Sequence, residues 1–163
     1  MNIKSKAADT SLLVISFNLG EAVFGIDARQ IQEVSRVGAI TRVHHAPTEV
    51  IGIRNLRGHI VTVIDLRTRL QLGRVVTTPA SRVLIVEGLG EPIGLLVDRV
   101  ADTLNIDPAD LQPAPANVNG VQSRKLRGVC RNGRNLVALL DLAAVLQIEN
   151  APGPMVAREK LLA

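Results

Sequence analysis

Aromatic residues are almost missing from this 163-residue sequence, which contains no Tyr, no Trp and only two Phe, Phe17 and Phe24. Small barrels that read single-stranded nucleic acids usually stack the bases on aromatic side chains, so this shortage disfavours that class of protein. Hydrophobic residues still make up 47% of the chain. We therefore predict a core of Val, Ile, Leu and Ala, and strands that depend on β-branched residues.

Cysteine and long apolar runs are scarce as well. Cys130 is the single cysteine of the sequence, so no disulfide can form within the chain, which suits a reducing compartment. No segment approaches the roughly 20 consecutive apolar residues that span a bilayer. The first residues, MNIKSKAADTSLLVISFNLGE, lack the small-residue cleavage pattern of a signal peptide and are better explained by a strand. We predict a cytoplasmic protein without direct membrane insertion.

The sequence offers little for catalysis or for binding a metal or cofactor. Cys130 has no histidine near it along the chain, and His44 and His45 would point to opposite faces of a strand. No glycine-rich phosphate loop is present. The aspartates that precede helical turns are explained as N-caps: Asp27, Asp65 and Asp141. We predict that the protein is not an enzyme and holds no cofactor or metal. A thiol-reactivity assay tests the enzymatic alternative, a Cys–His pair formed by the fold.

Positive charge is concentrated in one segment. The chain carries 19 Lys and Arg against 15 Asp and Glu, a net charge of +4. The basic segment Arg124–Arg134 contains five of these cations and no acid. Such a segment could contact phosphates, so a basic small-barrel module that binds nucleic acid is the alternative function. We favour a solvated strand-and-turn face because the aromatic stacking residues are missing.

Near the N-terminus, apolar runs separated by a Gly-Glu turn predict a hairpin of two strands, Leu12–Leu19 and Ala22–Asp27. A short helix is predicted to follow, from Ala28 to about Val34. Ile31 and Val34 are three residues apart, so they would share one face of this helix.

An internal repeat relates two parts of the chain. The segment IGIRNLRGHIVTVIDLRTRL (51–70) predicts a second hairpin, and Gly52–Leu70 within it aligns without gaps to Gly128–Leu146, 76 residues further on. Two copies are too few for a solenoid. We predict two similar small barrels, the first mainly in residues 14–78 and the second mainly in residues 80–149.

Several strands are apolar at nearly every position instead of alternating, among them His59–Ile64 and Val83–Val86. Strands of this kind need cover on both faces. The sequence predicts few helices that could cover the second face. A strand that faces its own barrel on one side and the other barrel on the opposite side satisfies the pattern, so the predicted fold is all-β, with two barrels packed together and short helices.

The turn Asn55-Leu56-Arg57-Gly58 carries a cation between two apolar strands. By itself it is an ordinary turn in which Gly58 supplies a positive φ and Arg57 points to water. The second copy of the repeat has Asn132-Gly133-Arg134 there instead, which suggests that one copy is specialised. A guanidinium beside an apolar surface pairs well with a carboxylate, and Glu33 is the candidate.

From about Leu12 to Gln147 the sequence resembles the bacterial chemotaxis coupling proteins, the CheW family. The segments that carry the resemblance are Gly25-Ile26-Asp27, Gln32-Glu33-Val34, the run Ile51–Gly58 followed by Ile60–Arg67, Gly94–Val100 and Leu139–Leu142. Asn-Leu-Arg-Gly followed by an apolar strand and Asp-Leu-Arg is specific in combination. The resemblance implies two SH3-like five-stranded β-barrels with a groove between them.

The resemblance also implies a function without catalysis. Proteins of this family act as signalling adaptors that join the cytoplasmic tip of a chemoreceptor to the regulatory domain of the histidine kinase CheA. Carried over to this sequence, Glu33 and Arg57 match a pair of the family. Six further residues match positions near the groove or its supporting segments, and together with the pair they are the predicted partner-binding residues: Ile31, Val34, Asn55, Gly58, Val97 and Asp98. The expected layout is a flexible N-terminus (1–10), a CheW-like domain (11–149) and a flexible tail (150–163).

Overall fold

A computed structural model describes residues 10–88 and 90–147 of the protein. Its strands are β1 (Leu12–Leu19), β2 (Ala22–Asp27), β3 (Ile31–Arg36), β4 (Val50–Leu56), β5 (His59–Asp65), β6 (Arg82–Gly88), β7 (Glu91–Val97), β8 (Arg99–Ile106), β9 (Asn117–Val118), β10 (Val121–Gln122), β11 (Leu126–Asn132) and β12 (Asn135–Leu140). Two short α-helices follow β5 and β12: α1 (Leu66–Arg69) and α2 (Leu142–Leu146). Single 3₁₀ turns lie at Ala28–Gln30, Pro108–Asp110 and Ser123–Lys125.

The strands form two five-stranded sheets, each curved into an SH3-like barrel. One sheet has the order β3-β6-β7-β5-β4, and we call it the central barrel because its strands are continuous in sequence. The other has the order β11-β12-β2-β1-β8, and we call it the terminal barrel because it combines both ends of the described chain. The short strands β9 and β10 form a hairpin of their own.

The predicted fold class is confirmed, but the predicted boundaries of the barrels, 14–78 and 80–149, are wrong. The N-terminal hairpin β1–β2 belongs to the terminal barrel, where β2 pairs in parallel with β12. In the central barrel β7 pairs in parallel with β5 in the same way. The hairpin β1–β2 therefore takes the place that β6–β7 takes in the other copy, and the repeat is circularly shifted relative to the chain.

Three apolar clusters account for the strands that are hydrophobic on both faces. The interior of the central barrel holds Val61, Val63, Val83, Ile85 and Leu96 among others. The interior of the terminal barrel is built by a second group that includes Leu12, Val14, Cys130, Val137 and Leu139. The third and largest cluster lies between the barrels, where Phe17 and Phe24 of one sheet meet Leu84, Val86 and Leu95 of the other. The prediction of two-sided cover is confirmed.

The helix predicted from Ala28 to Val34 is wrong beyond its first turn. The 3₁₀ turn ends at Gln30, and Ile31–Arg36 is strand β3, paired with β6. A β-bulge shifts the register, so that Ile31 opposes Val86 and Val34 opposes Leu84. The extra residue places Ile31 and Val34 on one face of the strand although they are three apart, which is the spacing that a helix would also give.

The predicted aspartate caps are confirmed. Asp65 and Asp141 occupy equivalent positions of the two copies, and each accepts a hydrogen bond of 3.1 Å from the backbone N–H three residues on, at Thr68 and Ala144. Asp27 accepts one of 2.9 Å from the Arg29 N–H. These carboxylates are therefore part of the backbone structure of the helical turns.

Gly52 and Gly128 are the leading glycines of the repeat, and both are required by close backbone contacts. A Cβ on Gly52 would lie 2.2 Å from the Thr41 carbonyl oxygen, and one on Gly128 would lie 2.6 Å from that of Gln112. Thr41 and Gln112 form bridges to Ile53 and Val129, one residue after each glycine. The matched bridges support the duplication that the sequence predicts.

The predictions for the tail (150–163) and for nearly all of the N-terminus (1–10) lie outside the described residues. Within the described part of the chain, no helix has the length and apolar content that a membrane crossing requires.

Candidate functional site

The β4–β5 turn is a two-residue loop made of Arg57 and Gly58. Leu56 and His59 are the last pair of the ladder, and both loop residues have positive φ, 52° and 85°. This is the pattern of a type I′ turn, whose twist matches that of the flanking strands. The Asn55 Oδ1 accepts a hydrogen bond of 2.9 Å from the Gly58 N–H and closes the loop. The predicted turn is confirmed, but Arg57 also takes a left-handed conformation.

An arginine is unusual at this turn position, as a comparison with two other hairpin turns of the protein shows. The β9–β10 turn has the same design, with positive φ at Asn119 and Gly120 and a bond of 3.1 Å from the Gly120 N–H to the Asn117 side chain. Asparagine is much better tolerated than arginine in the left-handed region. In the β11–β12 turn Gly133 takes the left-handed position and Arg134 follows it. Arg57 is therefore held in a strained conformation that neither related turn imposes on an arginine.

The Arg57 side chain forms a two-pronged ion pair with Glu33 on β3. The Arg57 Nη1 lies 2.7 Å from Glu33 Oε1, and Nη2 lies 3.1 Å from Oε2. The pairing predicted from the sequence is confirmed, with Glu33 on a strand instead of a helix. The Arg57 side chain remains 76% exposed and that of Glu33 24% exposed. The pair is accessible to a partner, and the guanidinium keeps N–H donors that Glu33 does not use.

A second arginine, Arg54 on β4, also bridges to β3. β3 and β4 are the edges of the central sheet. The Arg54 Nη1 donates to the Ser35 hydroxyl and to the Arg36 carbonyl oxygen, each at 2.6 Å. Arg54 of β4 and Arg57 of the β4–β5 turn thus both reach across to β3, at two levels. Side chains hold this seam of the barrel together where a backbone ladder would hold it elsewhere.

A hollow of 160 Å³ lies beneath the Glu33–Arg57 pair, at the mouth of the central barrel. Besides the pair itself, its lining consists of Gln32, Leu56, His59, Val61, Ile85 and Pro92. The walls are mainly apolar and the rim carries the ion pair. This combination suits an apolar side chain of a protein that also presents a polar or charged group to the rim.

Exposed apolar side chains flank this end of the central barrel. Val34 on β3 is 42% exposed, and Ile60 on β5 is 59% exposed. Ile31 is half-buried and packs against the cluster between the barrels. Ile60 was missed from the sequence, because in a strand that is apolar throughout, no pattern distinguishes an exposed Ile from a buried one. Its position one residue before the buried Val61 turns it outward.

Val97 and Asp98 lie apart from the other predicted site residues. Val97 is fully buried between the barrels and lies five positions along β7, about 16 Å of strand, from Pro92 at the hollow. The Asp98 carboxylate accepts a hydrogen bond from the Gly20 N–H and lies 3.5 Å from the Arg67 guanidinium. These two residues support the arrangement of the barrels and lie away from the Glu33–Arg57 surface.

The cations of the basic segment lie on a 3₁₀ turn, on β11 and in the turn that follows it. Arg127 lies 3.5 Å from the Asp27 carboxylate, and Arg124 donates to the Gln122 side chain at 2.7 Å. Arg131 and Arg134 are exposed at the β11–β12 hairpin. Arg127 and Arg131 both lie on β11, so the segment remains a basic surface, but two of its cations are engaged with neighbouring side chains.

Cys130 is 4% exposed and packs inside the terminal barrel. Burial, and to a lesser degree the negative charge of Asp110, raises the pKa of its thiol. A raised pKa lowers the thiolate fraction and with it the reactivity. Over residues 10–88 and 90–147, no three His, Cys, Asp or Glu side chains lie together as metal ligands would.

Comparison with known proteins gives consistent matches. The CheW-like domain family matches residues 13–150. The Chemotaxis protein CheW of Klebsiella aerogenes is 33% identical over 135 residues, covering 82% of this chain and 80% of that protein. Protein FrzA of Myxococcus xanthus is 26% identical over 132 residues, with 80% and 82% covered. The crystal structure of the scaffolding protein TtCheW from Thermoanaerobacter tengcongensis superposes with a TM-score of 0.78 at 30% identity, covering 85% of this chain and 90% of that one.

Proposed function

Since the chain belongs to the CheW-like domain family and is a chemotaxis coupling adaptor, we propose that it joins the cytoplasmic tip of a chemoreceptor to the regulatory domain of a CheA-type histidine kinase. It does so by binding both partners and catalyses no reaction itself. The domain that carries this function extends over residues 11–149. The protein works in the cytoplasm, at membrane-associated receptor arrays that it reaches through its partners.

The geometry of Arg57 is the observation that supports this proposal most. An arginine in a left-handed turn position costs about 1–2 kcal/mol relative to a relaxed conformation. An ion pair as exposed as the one with Glu33 contributes only about 0–1 kcal/mol to stability. The stabilisation from the ion pair is therefore smaller than the strain of the turn, and folding stability alone does not explain why an arginine is found there. Strained residues kept at an exposed position are typical of functional sites.

We assign the receptor contact to the surface around this pair. A receptor tip is a helical hairpin, and an amphipathic helix docks through an apolar stripe with charged groups at its border. Val34 and Ile60 offer exposed apolar area, Ile31 supports it from below, and the free donors of Arg57 can bind carboxylate or carbonyl oxygens of the receptor. Asn55 and Gly58 set the turn that presents Arg57.

Val97 and Asp98 contribute indirectly in this proposal. They fix the inter-barrel angle through the core and through the Asp98 contacts with Gly20 and Arg67. The nucleic-acid alternative has no support, because the family and the relatives that the chain matches are chemotaxis proteins.

A reconstituted assembly of receptor, kinase and this protein tests the proposal. We expect Arg57→Ala to lower receptor-dependent kinase activity by at least about tenfold, the loss of about 1.4 kcal/mol of binding, while the variant stays folded. Arg134→Ala is the matched control, since Arg134 lies in the corresponding turn of the other copy. Full activation by Arg57→Ala, or an equal loss with Arg134→Ala, would remove the receptor contact from this surface.

A further inference from the structure

The central barrel has a second cavity, at the end that the Glu33–Arg57 surface does not use. Its volume is 330 Å³. Asp65 in its wall lies four residues along β5 from Val61, which lines the hollow under the ion pair, so the two cavities are about 13 Å apart along the strand. The lining residues are Arg42, Val43, Thr48, Val50, Ile51, Asp65, Thr68, Arg74, Val75, Thr77 and Leu96.

Positive charge dominates this lining. Arg42 and Arg74 are exposed at the cavity, and neither guanidinium has an acceptor or a carboxylate partner in the described part of the chain. Asp65 is the acid of the lining, and its two oxygens accept backbone N–H groups of Thr68 and Val75, at 3.1 and 2.9 Å. Its carboxylate is buried and engaged with the fold, whereas both arginines keep all their donors for a ligand.

Three threonines line the same cavity as the arginines: Thr48, Thr68 and Thr77. The Thr68 hydroxyl donates to the Gly73 carbonyl at 3.0 Å, but those of Thr48 and Thr77 have no partner among residues 10–88 and 90–147. Two guanidinium forks and two free hydroxyls match a group with several acceptor oxygens, and arginine forks bind phosphate in this manner.

The remaining walls limit what can be attached to such a group. They are aliphatic, formed by Val43, Val50, Ile51, Val75 and Leu96, and without an aromatic side chain they give a nucleobase nothing to stack on. The volume lies at the small end of ligand sites, which span about 300–1,000 Å³. We propose that this cavity binds a small organic phosphate, with the phosphate group on Arg42 and Arg74 and a short aliphatic body against the valines.

Titration of the ¹⁵N-labelled full chain with glycerol 3-phosphate, at constant ionic strength, tests the site. We expect saturable chemical-shift changes at the amides of Thr48, Arg74 and Thr77. The double variant Arg42→Gln, Arg74→Gln should weaken binding at least about tenfold, because both forks are lost. Arg36→Gln is the matched control: Arg36 is exposed on β3 of the same barrel but outside the lining, so binding should be unchanged.

Three results would overturn the proposal. Shifts that grow linearly without saturation, or an equal weakening by Arg36→Gln, would show diffuse attraction to a cationic surface. Inorganic phosphate binding as tightly as glycerol 3-phosphate would show that the aliphatic walls contribute nothing and that no organic ligand is selected. Saturable binding of a hexaglutamate peptide without binding of glycerol 3-phosphate would assign the cavity to an acidic protein segment. All variants replace exposed side chains, and thermal unfolding confirms that each is folded.

Discussion

Arg69 of the central barrel and Val145 of the terminal barrel are joined by a hydrogen bond of 2.7 Å from the Arg69 Nε to the Val145 carbonyl oxygen. The Arg69 Nη2 donates to the Gln147 carbonyl oxygen as well. The Val145 carbonyl lies in the last turn of α2 and Gln147 is its C-cap residue, where the helix itself offers no donors. A side chain of α1 thus caps α2 of the other barrel and links the two copies beside the apolar cluster between them.

Arg69→Met should lower the free energy of unfolding by about 2 kcal/mol, because two charge-assisted hydrogen bonds are lost and the partly buried Val145 carbonyl stays unpaired. The Arg69 side chain is only 16% exposed, so solvent cannot readily replace it. Urea unfolding measures the change. Arg74→Met, at an exposed arginine without an acceptor in the described chain, should stay within about 0.5 kcal/mol of the wild type. Equal losses in both variants would mean that the cap is not what Arg69 contributes.

Arg57→Asn separates the strain of the turn from the function of the guanidinium. Asparagine occupies the same position in the β9–β10 turn, so the exchange relieves about 1–2 kcal/mol of left-handed strain and removes an exposed ion pair that contributes about 0–1 kcal/mol. We therefore expect the free energy of unfolding to stay unchanged or to rise by up to about 2 kcal/mol. Kinase coupling should be lost as in Arg57→Ala.

The converse variant is the control for the strain. Asn119→Arg places an arginine in a left-handed turn position of the β9–β10 hairpin and should destabilise the protein by about 1 kcal/mol in chemical unfolding. If Arg57→Asn unfolds the protein, the guanidinium is mainly structural. If Asn119→Arg is neutral, the turn does not strain an arginine.

What the sequence predicts well is set by local chemistry. The aspartate caps at Asp65 and Asp141 depend on residues within one turn, and the apolar strands carry their need for two-sided cover in their own composition. The Glu33–Arg57 pair followed from matching charges and from the resemblance to a family. These features do not depend on which strands are neighbours in the sheets, so they can be predicted without knowing the topology.

What the sequence does not show is set by pairing across the chain. No residue pattern in Leu12–Asp27 indicates that this hairpin pairs with β12 instead of with the strands that follow it. The prediction that each barrel is contiguous in sequence is therefore wrong. The bulge after Ile31 gives a strand the spacing of a helix. The burial of Val97 and the exposure of Ile60 depend on where each strand passes the other barrel, which composition does not specify.

Asp27 should make stability depend on acid. The pKa of the Asp27 carboxyl lies below its ordinary value, mainly because the Arg29 guanidinium donates hydrogen bonds to it. Burial acts in the opposite direction but has a smaller effect. A group whose pKa is lower in the native state contributes fully above the pKa of the unfolded chain, about 3.9, and less as the pH falls through the native value. The wild type should therefore lose stability between about pH 5 and pH 3 more steeply than Asp27→Asn. Urea unfolding at several pH values measures this, and parallel curves would show that Asp27 is not responsible.

Cys130 should be inert in the folded protein. Its thiol is buried in the terminal barrel and opposite Val137 in the ladder, and burial raises its pKa, so both access and thiolate fraction are low. We expect labelling by a maleimide at pH 7 to be at least roughly 100-fold slower in native protein than in denaturant, because reaction must wait for local opening. The reference is a Cys130→Ala, Ala101→Cys variant, whose thiol lies on the exposed face of β8 and should react at once. Rapid labelling of native Cys130 would reveal an accessible, activated thiol and would support a catalytic nucleophile. Slow labelling would agree with a protein that acts by binding its partners.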